Sequence, residues 1–262
     1  MKLAISNIAW TSKNDREVYS MMNKLGYTGL EIAPTRVIES NPYDRPNQIF
    51  EWFSMINGQY GFEIPSMQSI WFRRREMIFG SESEREFLID YTKKAIKFAK
   101  KIYCKNLILG CPQNRNLPIG LDKNIGVEFF KTIGDFAKKN DTTICMEAIP
   151  IIYSTSYIND TDSAIELIEQ VDSDGFRLNL DTGTMIYNNE SIKNLIGKVH
   201  LIKHVHISEP GLETIRERRL HKELRDVLLQ ENYQGYVSIE MKNKADLQEI
   251  YKTMKYVKEI FG

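Results

Sequence analysis

Long apolar runs are missing from this 262-residue chain. No stretch of 18 or more apolar residues occurs, so no membrane span is expected. Net charge is missing as well, since 35 basic residues balance 35 acidic ones. A balanced chain leaves no electrostatic footprint for nucleic acid or a membrane surface, and neither partner is expected. Cysteine is scarce. Cys104, Cys111 and Cys145 are odd in number and share no CxxC spacing, which suits reduced, packed thiols and a cytoplasmic location. Glycine is absent from "SNIAWTSKND", just after the first apolar segment, which argues against the phosphate loop of a doubly wound dinucleotide-binding sheet. No low-complexity tract or Pro/Gly/Ser linker interrupts the chain, so a single domain over 1–262 is expected. The opening "MKLAISNIAW" has one lysine and no small-residue cleavage pattern. It reads as a first strand and not as a signal peptide.

What is present is an alternation. Candidate strands fall near 2–8, 29–33, 62–67, 106–109, 143–148, 176–181, 202–207 and 237–241. Amphipathic stretches between them read as helices near 15–25, 47–60, 82–101, 124–139, 161–170, 190–197, 219–231 and 244–261. Strict alternation argues for parallel strands with crossover helices. Eight such units in about 250 residues are the size of a (β/α)8 TIM barrel. An internal echo supports the repeat: "KLGYTGLEI" and "ENYQGYVSIE" both run from a helix end through Tyr-x-Gly into a strand holding a glutamate.

Side chains along a strand alternate between two faces. Leu178 and Leu180 oppose Arg177, Asn179 and Asp181; Val205 and Ile207 oppose His204, His206 and Ser208. Val237, Ile239 and Met241 oppose Ser238, Glu240 and Lys242, and Ile144 and Met146 oppose Cys145 and Glu147. The apolar faces suit an outer helix layer, which turns the polar faces into the barrel. Barrel interiors are normally filled by branched apolar side chains, so these polar faces require a cause. Glu147, Asp181, His206 and Glu240 stand at the ends of strands five to eight and would converge on one rim. Three carboxylates beside one imidazole repel unless a cation sits among them. Oxygen ligands with one nitrogen suit one divalent ion of the Mn, Co, Zn or Mg kind. His204, two residues deeper on the same face, reads as a supporting or core histidine.

These motifs carry a resemblance. Glu147 at the end of strand five, Asp-Thr-Gly from Asp181, His-x-His-x-x-Glu from His204 to Glu209, and Ile-Glu at Glu240 resemble the xylose-isomerase-like TIM barrels over essentially the whole chain. Order and spacing are closest to the ketose 3-epimerase branch. The resemblance implies that the four positions bind one divalent metal. It also implies that Glu147 and Glu240 form a base and acid pair beside a polarised carbonyl, a logic that is chemically sound. The sugar contacts of that branch depart: Thr184 stands where it has a histidine, Leu212 where it has an arginine, and Pro150 and Tyr153 near its acidic residue. Glu209 is kept.

Substrate contacts are therefore sought in the rim loops. The loop "SEPGLETIRERRLHKEL" offers Glu209, Arg216 and His221, the last read either as facing the site or as a surface residue of a helix start. An arginine in it would clamp a carboxylate or phosphate. Trp71 is placed to stack on a sugar face, Gln113 and Arg115 fall near the rim after strand four, and Lys242 follows Glu240. Arg73 to Arg75 read either as a solvated loop or as substrate contacts, and Trp10 and Glu31, at the ends of strands one and two, either as barrel packing and a structural hydrogen-bonding group or as rim residues of the site. The expected activity is a metal-dependent isomerase or epimerase on a small sugar, polyol or sugar phosphate. A dehydratase of the inosose or dehydroshikimate type is the alternative, since it shares the proton-abstraction step. A non-catalytic sugar-binding relative would not need both acid/base glutamates. An apurinic-site endonuclease would need more histidines than the four present. Barrels of this family often pair, so the resemblance also allows a homodimer.

Overall fold

The computed structural model describes residues 1–244 and 246–262. Eight strands alternate with helices: β1 Lys2–Ser6, α1 Asp15–Leu25, β2 Gly29–Glu31, α2 Pro34–Val37, α3 Pro46–Tyr60, β3 Ser66–Met67, α4 Glu82–Lys101 and β4 Asn106–Leu109. Then follow α5 Asn124–Lys138, β5 Thr143–Glu147, α6 Thr161–Val171, β6 Phe176–Asp181, α7 Thr182–Asn188, β7 Ile202–Ile207, α8 Arg219–Gln230, β8 Tyr236–Ile239 and α9 Leu247–Phe261. The strands pair in parallel in the order β2-β1-β8-β7-β6-β5-β4-β3. Parallel bridges Gly29–Glu63 and Ile32–Met67 tie the two ends together and close the ring. The fold is the (β/α)8 barrel that the alternation predicts.

Local chemistry explains the element ends. Ser81 and Glu84 form a reciprocal capping box at the start of α4, and Lys100 and Lys101 sit at its carbonyl end, where cations oppose the helix dipole. The two echo segments both leave their helix through a left-handed residue, Gly26 at φ 77 and Asn232 at φ 58. The outward strand faces, including Leu178, Leu180, Val205, Ile207, Val237 and Ile239, are fully buried under the helices.

Two expected elements differ. The third strand shrinks from 62–67 to Ser66–Met67, because Pro65 lacks the N–H a ladder needs. The helix expected over 190–197 is instead α7 at Thr182–Asn188, followed by a 3-10 turn at Ile192–Leu195. Asp181 caps α7 directly, its Oδ1 accepting the Thr184 N–H at 2.6 Å, so strand passes to helix with no loop between.

The polar inner faces are packed as a hydrogen-bonded network. Glu31, fully buried, accepts from Ser66 Oγ at 2.5 Å and from Gln68 Nε2 at 3.0 Å. It lies 2.9 Å from Nε2 of both His204 and His206. A buried carboxylate survives only when paired this way.

Candidate metal centre

Strand register brings the four rim residues together. Across β6 and β7, Asn179 pairs with His204 and Asp181 with His206; Glu147 stands opposite Asn179. One ligand atom from each of Glu147, Asp181, His206 and Glu240 lies within 4.8 Å of the other three. His206 Nδ1 is 2.9 Å from Glu147 Oε1 and 3.2 Å from Glu240 Oε2. Its other nitrogen faces Glu31, which fixes the ring and leaves Nδ1 for the cluster.

The supporting contacts are equally defined. Asn179 Nδ2 donates to Glu147 Oε1 at 2.9 Å. Ser208 donates to Asp181 Oδ2 at 2.5 Å. Arg115, fully buried behind β5, donates to the Glu147 carbonyl at 2.8 Å. Two glycines make room: a Cβ at Gly110 would sit 2.4 Å from Glu147 Oε2, and one at Gly183 would sit 2.6 Å from Ser208 Oγ.

The electrostatics are those of a site short of positive charge. Burial pushes the Glu147 carboxyl above its usual range, and the Glu240 charge adds to this. Burial likewise raises Glu240, with Asp181 and Glu31 adding to it against the pull of His206. Burial and the Glu147 charge push Asp181 up to about 6. Burial opposes the charging of His206, yet the carboxylates of Glu31 and Glu240 hold it well above the ordinary imidazole range. Three buried carboxylates on one protonated imidazole satisfy each other poorly. A divalent cation would relieve all four, and the oxygen-rich donor set fits one.

The cluster opens into a cavity of about 470 Å³ at the C-terminal end of the barrel. Glu147, Asp181, Glu240 and Glu209 line it, with Trp71 and Gln113. Other expected contacts lie elsewhere. Arg115 is behind the cavity wall and not at the rim, because its guanidinium serves the Glu147 and Ile158 carbonyls. Lys242 lies past the end of β8 and turns outward to Glu213. His221 is neither in the site nor at the surface; it is buried on α8 with Nδ1 2.9 Å from Tyr256 Oη. Arg216 meets Glu209 through its backbone N–H at 3.2 Å, and it is Arg218 whose Nε donates to Glu209 at 2.7 Å. Trp71 forms a wall and not an open platform, its Nε1 donating to Thr92 at 2.8 Å. Asn179 and Ser208 were not singled out from the sequence as site residues, although both share the inward face that marks Asp181 and His206. Arg73 and Arg74, which the sequence left open between a solvated loop and a substrate contact, line the cavity.

A family model described as a xylose isomerase-like TIM barrel matches residues 20–260, and the chain belongs to that family. Among solved structures, D-psicose 3-epimerase with D-tagatose from Clostridium cellulolyticum superposes with a TM-score of 0.81 at 17% identity, over 100% of this chain and 99% of that one. 3-keto-D-glucoside 4-epimerase from E. coli superposes with a TM-score of 0.78 at 16% identity, over 99% of each chain. The probable 3-DHS dehydratase of petrobactin synthesis from Bacillus anthracis gives 0.71 at 14% identity, over 99% of this chain and 98% of that one. At these identities the likeness is one of fold. A comparison with curated protein sequences finds no match.

Proposed function

We propose that this protein is a divalent-metal-dependent isomerase or epimerase that moves a proton at the carbon next to a carbonyl of a small polyhydroxylated substrate. One observation carries the reading: ligand atoms from the ends of four successive strands lie within 4.8 Å of one another, and three of the residues, Glu147, Asp181 and Glu240, line an open cavity. Glu147, Asp181, His206 and Glu240 would hold the ion, which when bound supplies a Lewis acid beside the substrate carbonyl.

The chain's own groups supply the rest. Glu147 and Glu240 reach the cavity from β5 and β8, so a substrate carbon between them meets a carboxylate from each side. One takes the proton and the other returns it. Without metal, burial holds both carboxyls above the usual range; a bound divalent ion would favour their ionised forms. Asn179 and Arg115 fix Glu147, and Glu31 fixes His206, so neither must reorganise during transfer.

The test is the metal content of purified protein, with Glu147→Gln/Asp181→Asn as control. About one equivalent of divalent ion per chain, lost in the control, supports the site. No metal after reconstitution with Mn, Co, Zn and Mg would refute it. A panel of ketoses, inososes and their phosphates then separates the outcomes. Inversion or carbonyl migration supports the isomerase, whereas loss of water indicates a dehydratase, which starts from the same proton abstraction.

A further inference from the structure

The loop between β3 and α4 forms a cavity wall that the proton transfer does not use. Arg73 and Arg74 line the cavity there. Among the described residues neither forms an ion pair. Nε of Arg74 is buried without a hydrogen-bond partner. Yet the Arg74 group is held: its guanidinium lies 5.3 Å over the Tyr91 ring and 5.8 Å over that of Phe87. Asn114 Nδ2 pins the loop backbone, donating to the Arg74 carbonyl at 3.1 Å and to the Glu76 carbonyl at 2.9 Å. Arg73 adopts φ 65, a left-handed conformation that a side chain of its kind rarely takes. A flexible solvated loop would need none of this.

Elsewhere most polar groups of the cavity are already committed, with Gln113 an exception among the described residues. Thr184 Oγ1 donates to the Ala148 carbonyl at 2.7 Å, and Tyr153 Oη accepts the Gly211 N–H at 2.8 Å. Ser208 serves Asp181, and Leu212 and Ile149 are apolar. A neutral sugar would find few free partners. When all three carboxylates are ionised they outweigh one divalent ion by a full charge, so the metal floor offers an anion no net attraction. The half-buried, stacked guanidinium of Arg74, whose Nε has no partner, is instead a ready fork for two oxygens.

We infer that the substrate carries an anionic oxygen group, a phosphate ester or a carboxylate, which Arg73 and Arg74 hold while its carbonyl end faces Glu147 and Glu240. Only the second half of that statement rests on the function proposed above.

The probes are inorganic phosphate and acetate, titrated by calorimetry into the Mn-loaded and the metal-free protein. At least one should bind in the millimolar range in both forms, and the tighter of the two identifies the source. Arg74→Gln and Arg73→Gln should each weaken it at least tenfold, and Arg74→Lys, which keeps the charge without the fork, by less. Glu240→Gln should not weaken it. Unchanged thermal unfolding of the arginine variants separates loss of the site from loss of fold. Binding that is undetectable, that needs the metal, or that survives both arginine replacements would overturn the inference. Arginine-dependent binding in a protein that takes up no metal would instead sink the isomerase reading and leave this one standing.

Discussion

At the residue scale the site depends on absences as much as on side chains. Gly110 is bare because Glu147 occupies the space its Cβ would fill. Gly110→Ala should therefore weaken divalent-metal binding at least tenfold by calorimetry, by displacing Glu147, although every ligand residue is retained. A variant with full affinity would mean that Glu147 is not held where the structure puts it. His221 behaves differently. Burial pushes its imidazole down to about 4, so the folded protein resists a proton that the unfolded chain accepts near its ordinary value. That group contributes stability above about pH 6.5, and the contribution is lost as pH falls toward 4. The difference amounts to at most about 3 kcal/mol. His221→Gln should flatten the acid limb of a stability-versus-pH curve over that window, and an unchanged slope would count against it. The direction of His221 was not legible in the sequence. It opens a helix within a run of charges, where no apolar period tells the inner face from the outer. Arg115 was illegible for a related reason, as a loop residue whose partners are backbone carbonyls.

At the scale of elements the strands were readable and the turns were not. Period-two alternation marked the inward faces of β5 to β8, and with them the residues that the structure gathers. Nothing periodic marked α7, because Asp181 serves at once as strand end, helix cap and cluster member. The β3–α4 loop was equally opaque: its arginines are ordered by Asn114, forty residues away for Arg74. Asn114→Ala leaves two carbonyls without that donor, at a cost of about 1–3 kcal/mol. Limited trypsin digestion should then cut at Arg73 to Arg75 several times faster than in the wild type. Equal rates would show that the loop is ordered by other means.

Taken whole, a molecule that binds the proposed ion would link its stability to it. An ion bound only by the folded state adds about 2.7 kcal/mol at a hundred times its Kd, or about 5–10 °C of Tm for a chain of this size. The gain should depend on pH in a definite sense. Without metal, Asp181 has its carboxyl raised to about 6, so its favourable contribution is present below about pH 4 and is lost as pH rises through 6. The metal needs the ionised form and reverses that loss. The metal-induced rise in Tm should accordingly be larger at pH 8 than at pH 5.5, and scanning calorimetry at the two values decides it. The order of strands adds a consequence in time. The four converging residues come from β5, β6, β7 and β8, and β8 completes the ring by pairing with β1. During synthesis the first half of the chain emerges with none of the four converging residues. The last ligand arrives only with the strand that shuts the circle. Uptake of the proposed ion would thus be a timestamp on ring closure, and a nascent chain arrested before Tyr236 would hold three of the four converging residues and an open seam.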